Sequence, residues 1–273
     1  GGLADPPVGR AGSGLDGDPR GRWFLLAGLA AALTVANELP SLAFLCAIAI
    51  ALIWHYPRQT LVWFAPAASV VVAAYFATNY IAHQSLRPPY MHRSETDKSD
   101  DWYDYSYEIN GRVRDSYWRN PQGIDRGEPS QVDYAIHILI GHHGVFSLTP
   151  IWLLSLAGMG LWIIRGRPAE RELALLVAGL TIICLTFYLM RPLEDRNYGG
   201  MTSGLRWMFW FAPLWLATMF PAADSLSRSK LGQAFAALAL ACSAMSASYP
   251  TWNPWVQPWI YNWLEYWDVL PST

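Results

Sequence analysis

The chain has 273 residues, of which 53% are hydrophobic and only 15% are charged. This balance excludes an ordinary soluble domain of that length, whose surface would need more charge. The formal net charge of -2 says nothing about partners, since in a membrane protein the position of each charge relative to the spans matters more. We expect no nucleic-acid partner.

Residues 1–22 are rich in glycine, proline and aspartate and show no hydrophobic periodicity. Such a composition predicts a flexible leader or linker. The chain starts at Gly1, and no secretory signal pattern precedes the first apolar run. We therefore expect either a processed product or a fragment of a longer protein.

Apolar runs near membrane-spanning length recur along the rest of the chain and predict an all-α fold, a polytopic transmembrane helix bundle of about seven spans. The runs cover residues 23–39, 41–54, 60–82, 146–164, 172–190, 205–222 and 231–249. Three spans are therefore expected within 23–82 and four within 146–249. The second run is short and is also compatible with half of a re-entrant hairpin.

Glu38 lies in the tight turn between the first two runs, in the sequence ANELPS. Ionisable groups at the ends of spans are costly unless they face a cavity or a partner, so they are functional candidates. Glu38 is a candidate general base. The alternative is a helix-end residue that pairs with an arginine.

The segment 83–145 is predicted to be a long loop that contains one short helix. Its many tyrosines and tryptophans favour a cap that packs on the spans and covers a cavity. The alternative is a solvated acidic loop with only local order. Near its end, VDYAIHILI is too short to cross a membrane and predicts an amphipathic helix at the interface.

The sequence GHHG places His142 and His143 between glycines, just before the fourth predicted span. Zinc usually takes three protein ligands, and no H-E-x-x-H motif or paired cysteine spacing supplies them. We therefore predict no metal site and identify no cofactor; a divalent cation is possible but has no support. Hydrogen bonding or acid-base service is the hypothesis for this histidine pair.

A charged, glycine-rich turn joins the fifth and sixth predicted spans. Glycines let the backbone approach a ligand, a helix amino terminus attracts anions, and the arginine fork suits phosphate oxygens. The predicted phosphate-binding residues are Arg206, Arg191, Arg196, Tyr198, Gly199, Gly200 and Gly204. Alternatively, Arg191 and Arg196 pair with Glu194 and Asp195, and Arg206 reaches to lipid headgroups.

The tail, residues 250–273, carries tryptophans at steps of three or four. This spacing puts the indole rings on one face of a helix whose early turns are broken by Pro254 and Pro258. Because tryptophan prefers the headgroup region, the tail is predicted to be an aromatic anchor parallel to the membrane. A carbohydrate-stacking platform would use the same residues.

Connections rich in basic residues alternate with connections poor in them along the series of predicted spans. Most basic residues of the short connections fall on one side, which the positive-inside rule assigns to the cytoplasm. The amino terminus is then cytoplasmic and the carboxyl terminus extracytoplasmic. Glu38, the long loop, the histidine pair, the glycine-rich turn and the tail all fall on the outer face.

The sequences GHHGVFSLTPIWLLSLAGM and RNYGGMTSGLRWMFWFAPLWL resemble the carboxyl-terminal half of bacterial glycosyltransferase-like membrane proteins of the GT-C superfamily. The first matches a G-x-F-x-x-x-P span start at Gly144, Phe146 and Pro150. The second matches a Y-G-G…G-x-R turn from Tyr198 to Arg206. The turn departs from the commoner G-P-R-Y form, because Leu205 and Trp207 flank the arginine.

The resemblance implies a transferase of the bacterial inner membrane. It would move a sugar from a polyprenyl-phosphate donor to an acceptor on the extracytoplasmic face, with Arg206 on the carrier phosphate. The family's catalytic acid lies in a large first outer loop, which here is only NELP. Either Glu38 substitutes for it or that loop lies in a missing amino-terminal half. A transporter or flippase, or a non-catalytic membrane scaffold, is the alternative function.

Overall fold

The computed structural model describes residues 21–92 and 98–270. Almost all of the predicted leader lies outside these residues, as do five residues of the long loop and the last three of the tail. The described chain is mostly helical (71% helix, 3% strand), as the sequence predicts. Three of its helices are long and apolar enough to cross a membrane. The finer prediction of about seven spans is not confirmed.

Helical segments occur at each of the seven apolar runs. The main helices are α1 (Gly21–Asn37), α2 (Leu42–His55), α3 (Pro57–His83), α4 (Gln131–Leu139), α5 (Pro150–Arg165), α6 (Pro168–Leu189), α7 (Ala212–Leu226), α8 (Lys230–Ser248) and α9 (Trp259–Tyr266). The three candidate spans are α3, α6 and α8. The sixth run begins as a 3-10 helix, Arg206–Phe211, before α7 takes over.

The core lies where α5, α6 and α7 pack together. Two buried side-chain hydrogen bonds join these helices: Ser155 Oγ donates to the Trp215 carbonyl at 2.7 Å, and Trp215 Nε1 donates to Thr181 Oγ1 at 3.0 Å. In apolar surroundings such polar groups need a partner, so these bonds fix the mutual rotation of the three helices.

The first three helices form a second packed group, in which α1 lies along α3. Residues Thr60–Phe64 of α3 form a π-helical turn. Pro66 follows directly, and its ring cannot tolerate the carbonyl of the preceding turn in ordinary α geometry. The widened turn accommodates the proline without ending the helix.

The long loop folds partly on itself. Strands β1 (Ser106–Ile109) and β2 (Arg112–Asp115) pair antiparallel around Asn110 and Gly111, both at positive φ. An Asn-Gly pair is the favoured chemistry for such a two-residue turn. Side chains on both strands are exposed, so the hairpin covers no cavity. Near the end of the loop, Gly123–Arg126 packs on the turn at Leu193–Asp195.

The short helix expected in the loop is present as α4. Its Tyr134 and Ile138 are buried in the protein core, while the interface location stays a prediction. The tail helix α9 begins at Trp259, directly after Pro258, as the two prolines predict. Tyr261 is its buried residue, and Trp263 on the same helix is 57% exposed.

We expect Gly158→Ala to destabilise the α5–α7 contact. A Cβ at Gly158 would overlap the Thr218 carbonyl oxygen, so the two helices must separate, at a cost of about 1–3 kcal/mol. Thermal unfolding in detergent should show a lower melting temperature.

The matched control is Gly160→Ala on the same helix, where a Cβ meets nothing within 4 Å. This change should leave the melting temperature unchanged or raise it, because alanine favours the helix. Equal effects of the two substitutions would contradict the proposed close approach.

Candidate functional site

Four segments distant in sequence meet at one end of the helices. They are the turn after α1, the carboxyl end of α6, the turn at 196–206 and the start of the tail. Contacts of Arg206 with Trp255, of Tyr188 with Trp207, and of His142 with Tyr261 join them. The turn after α1 joins them through the electrostatic interactions of Glu38 with Arg206 and Tyr188.

Arg206 is the half-buried cation at this meeting point. Its guanidinium lies over the Trp255 ring, 5.7 Å from the centroid. Its Nε is buried and has no hydrogen-bond partner among residues 21–92 and 98–270. In those same residues the side chain makes no ion pair. A buried donor without a partner costs about 1–3 kcal/mol, so this atom marks a place for a ligand.

Glu38 lies within electrostatic reach of Arg206. Partial burial raises the pKa of the Glu38 carboxyl, and the Arg206 charge partly offsets this by lowering it. The two charges do not form a direct ion pair of 4.0 Å or less anywhere in the described part of the chain.

Tyr188 also belongs to this group, although no sequence motif marks it. Its side chain is buried near the end of α6, and its ring stacks on Trp207 at 4.7 Å. The hydroxyl is close enough to Glu38 for the two groups to interact electrostatically. It has no hydrogen-bond partner among the described residues. A buried tyrosine hydroxyl normally finds one.

Arg191 and Arg196 have protein partners instead. Arg191 forms an ion pair with Asp195 and lies over the Phe187 ring. Arg196 donates from Nε to the Arg191 carbonyl at 3.0 Å and from Nη1 to the Pro129 carbonyl at 3.2 Å. Of the three predicted phosphate-binding arginines, these two hold the turn in place, and Arg206 remains available.

The glycines of the turn have different roles. Gly199 and Gly200 have φ of 94° and 84°, which L side chains rarely adopt. A Cβ on Gly199 would lie 2.9 Å from the Arg206 Cβ, whereas one on Gly200 would meet nothing within 4 Å. Gly199 thus lets the backbone pack on Arg206. Gly204 is buried, and its carbonyl accepts from Thr202 Oγ1 at 2.7 Å.

The histidine pair lies on the other side of Tyr198. His142 is 3% exposed and His143 is fully buried, and their Nδ1 atoms are 2.5 Å apart. His143 stacks on the Tyr198 ring at 4.0 Å. Burial lowers the pKa of His142 to about 3, with a smaller contribution from His137. Burial also moves the pKa of His143 well below 6.5, so both imidazoles are neutral at physiological pH.

Tyr198 itself is buried between these two parts of the site. Its hydroxyl lies 3.5 Å from Glu128 Oε2, at the limit of a hydrogen bond, and its carbonyl accepts the Arg206 amide at 3.2 Å. Burial raises the pKa of the Tyr198 phenol, with a smaller contribution from the Glu128 charge. Tyr198 therefore stays protonated and supports the turn rather than contacting a phosphate.

No group of three or more His, Cys, Asp or Glu with the geometry of a metal site occurs within residues 21–92 and 98–270. The chain matches no family model, no curated protein and no solved structure. A functional assignment therefore depends on the chemistry of this site alone.

The neutral histidine pair predicts a specific dependence of stability on pH. Below pH 6.5 the unfolded chain binds protons that buried His142 does not accept until about pH 3. Stability is therefore lost as the pH falls through this range, at about 1.4 kcal/mol per pH unit for this group. His142→Gln should flatten the decline in melting temperature measured between pH 7.5 and 5.

His83→Gln is the control, because His83 is exposed and lies outside this cluster. It should leave the slope against pH unchanged. An unchanged slope in His142→Gln would show that His142 binds protons equally in the folded and unfolded states, which contradicts the prediction.

Proposed function

We propose that this chain is an integral membrane glycosyltransferase, or part of one. It transfers a sugar from a polyprenyl-phosphate carrier to an acceptor hydroxyl at the extracytoplasmic face of a bacterial inner membrane. The observation that carries the proposal is the group formed by Glu38, Arg206 and Tyr188. The Arg206 charge acts on the Glu38 carboxyl and the Glu38 charge acts on the Tyr188 phenol, and the buried Arg206 Nε and Tyr188 hydroxyl have no hydrogen-bond partner among the described residues.

The Arg206 guanidinium is the proposed ligand of the carrier phosphate. Arginine donates to phosphate oxygens with two parallel hydrogen bonds, and a partly desolvated site strengthens them. The adjoining Trp255 ring is 57% exposed and is the kind of side chain that lies at lipid headgroups. A lipid-linked phosphate reaches such a cation from the bilayer while its isoprenoid chain stays in the hydrocarbon.

Glu38 is the proposed general base. Its carboxylate accepts the proton of the acceptor hydroxyl while that oxygen forms a bond to the anomeric carbon. The bond from this carbon to the phosphate oxygen breaks, and the polyprenyl phosphate leaves with the electron pair. Arg206 stabilises the charge that develops on it. A pKa raised by burial makes the Glu38 carboxylate a stronger base.

The Tyr188 hydroxyl is the proposed third contact. It is a neutral donor at the end of α6, within reach of the Glu38 charge. Donation to a phosphate oxygen or to the Glu38 carboxylate would satisfy its hydrogen bond in the loaded site. Tyr188 then positions the groups that react, and Glu38 and Arg206 carry the chemistry.

The membrane arrangement is part of the proposal. The short apolar helices α1, α2 and α5 and the segment 206–226 cross beside the three long ones, giving seven spans. The distribution of arginine supports an outer location for the site, since Arg165, Arg167 and Arg171 lie at the opposite ends of α5 and α6.

Arg206→Ala should lower transfer from a polyprenyl-phosphate sugar by at least about 100-fold, as expected for loss of one charge-stabilising donor. Glu38→Gln should lower the turnover number similarly with little change in carrier binding. The assay uses the full-length gene product in liposomes with radiolabelled polyprenyl-phosphate hexoses, and it measures label moved to a water-soluble acceptor.

Arg228→Ala is the matched control, because Arg228 is exposed at the opposite end of α7. It should retain full transfer. Undiminished transfer in Arg206→Ala, or no transfer by the unmutated protein, would contradict the proposal. Movement of the intact lipid across the bilayer without transfer would indicate a flippase instead.

The pH dependence of the turnover number gives a second test. The base must be ionised, so transfer should rise as the pH increases through the pKa of Glu38. Burial raises that pKa above 4.5, and the acidic limb should therefore lie above the range of an ordinary glutamate. In Glu38→Asp the acidic limb of the pH profile should move to a different pH, while residual activity remains. A profile identical to that of the unmutated protein would exclude Glu38 as the base.

A further inference from the structure

A cavity of about 560 Å³ has Tyr198 in its wall. The rest of the wall is formed by the end of the long loop, residues 122–129, by His137 of α4, by His142 and by the tail. The lining includes Glu128, His137, His142, Tyr198 and Tyr261. Its volume falls within the range of small-molecule sites and suits one or two sugar rings.

The cavity combines aromatic rings with a carboxylate. Tyr198 and Tyr261 are buried within it, and His142 lies 5.3 Å and 5.1 Å from their ring centroids. Glu128 is half-buried and makes no ion pair with the described part of the protein. Its one side-chain contact is the 3.5 Å approach of the Tyr198 hydroxyl. The carboxylate therefore has accepting capacity left for a ligand.

Two other polar groups of the cavity are His142 and Arg126. Burial lowers the pKa of His142, so its imidazole is uncharged at physiological pH and neither attracts an anion nor repels a cation. Arg126 donates to the Gln122 side chain and to the Pro121 carbonyl at 3.2 Å each. The free Glu128 carboxylate disfavours an anionic ligand, and no metal-binding group occurs among the described residues.

We propose that this cavity binds the acceptor and that the acceptor is a carbohydrate. Tyr198, Tyr261 and His142 pack on one another and close the bottom of the cavity, while the hydroxyls of a sugar donate to the Glu128 carboxylate. This inference rests on the proposed transfer reaction, because it supplies the hydroxyl that the reaction requires.

The cavity and the phosphate site share one wall. Tyr198 lines the cavity, and its carbonyl accepts the Arg206 amide at 3.2 Å. The next residue, Gly199, packs against the Arg206 side chain. A sugar in the cavity therefore lies beside the turn that holds Arg206.

Saturation-transfer NMR tests binding without requiring transfer. The full chain is placed in lipid nanodiscs free of glycolipids and sugar detergents. The probes are the methyl glycosides of glucose, galactose, mannose, N-acetylglucosamine and arabinose, together with sucrose and lactose. We expect saturable binding of at least one probe, weakened at least fivefold by Glu128→Gln. Absence of saturable binding by every probe overturns the inference.

Glu108→Gln is the matched control, since Glu108 is exposed on β1 away from the cavity. It should leave probe binding unchanged. Gln122→Trp is a second variant, in which an exposed side chain on the cavity wall is enlarged to obstruct it. Binding that survives both Glu128→Gln and Gln122→Trp, in variants with unchanged melting temperature, places the sugar elsewhere and overturns the inference.

Arg206→Ala separates this inference from the proposed function. It should abolish binding of undecaprenyl phosphate, measured by native mass spectrometry, and leave probe binding within twofold. Sugar binding without any transfer would contradict the transferase and leave the cavity assignment intact. Transfer whose acceptor KM is unchanged by Glu128→Gln would support the transferase and overturn the cavity assignment.

Discussion

Burial of Tyr198 is the constraint on which the arrangement of the site depends. Its ring is stacked on the buried His143, and its carbonyl receives the Arg206 amide. The ring cannot move unless the histidine pair moves as well, because protein interiors are close-packed. The direction in which Arg206 leaves the turn is therefore set by aromatic packing on the opposite side of that turn. Gly199 permits this close packing because it has no side chain that would separate the turn from Arg206.

The charges at this end of the molecule fall into two kinds. Arg191 has Asp195 as a partner and Arg196 has two backbone carbonyls, so both stabilise the turn. Glu38 and Arg206 interact only through space, and buried polar atoms of Arg206 and Tyr188 have no partner among the described residues. Unsatisfied buried groups lower stability. Arg206 and Tyr188 lie beside a turn that Arg191 and Arg196 already stabilise. A ligand is therefore the favoured partner for their unsatisfied atoms.

Tyr198 also links the two proposed substrates. On one face of its turn are the carboxyl, guanidinium and phenol that suit a phosphate and a proton transfer. On the other is a cavity with tyrosine rings and a free carboxylate, which suits a neutral hydroxylated ligand. The end of the long loop closes that cavity, while the hairpin Ser106–Asp115 stays exposed. Among the described residues of the loop, those at 122–129 line this cavity.

Much of the secondary structure was predictable because its causes are local. Apolar runs mark the helices, Pro258 sets the start of the tail helix, and the glycine-rich turn ends at Arg206 as expected. The hairpin was missed although Asn110-Gly111 is a strong turn signal, because the flanking residues are polar and stay exposed. The number of spans could not be derived, since run length alone does not distinguish a short span from a packed helix.

The sequence by itself determined a mostly helical, membrane-like chain and a glycine turn that leads to an arginine, because composition, periodicity and glycine conformation act over a few residues. The tertiary structure alone decided which arginine is left without a protein partner, that Glu38 and Tyr188 lie beside it, and that the histidine pair is buried and neutral. Those properties depend on interactions between segments far apart in the chain, such as Glu38 and Arg206, and no local pattern encodes them.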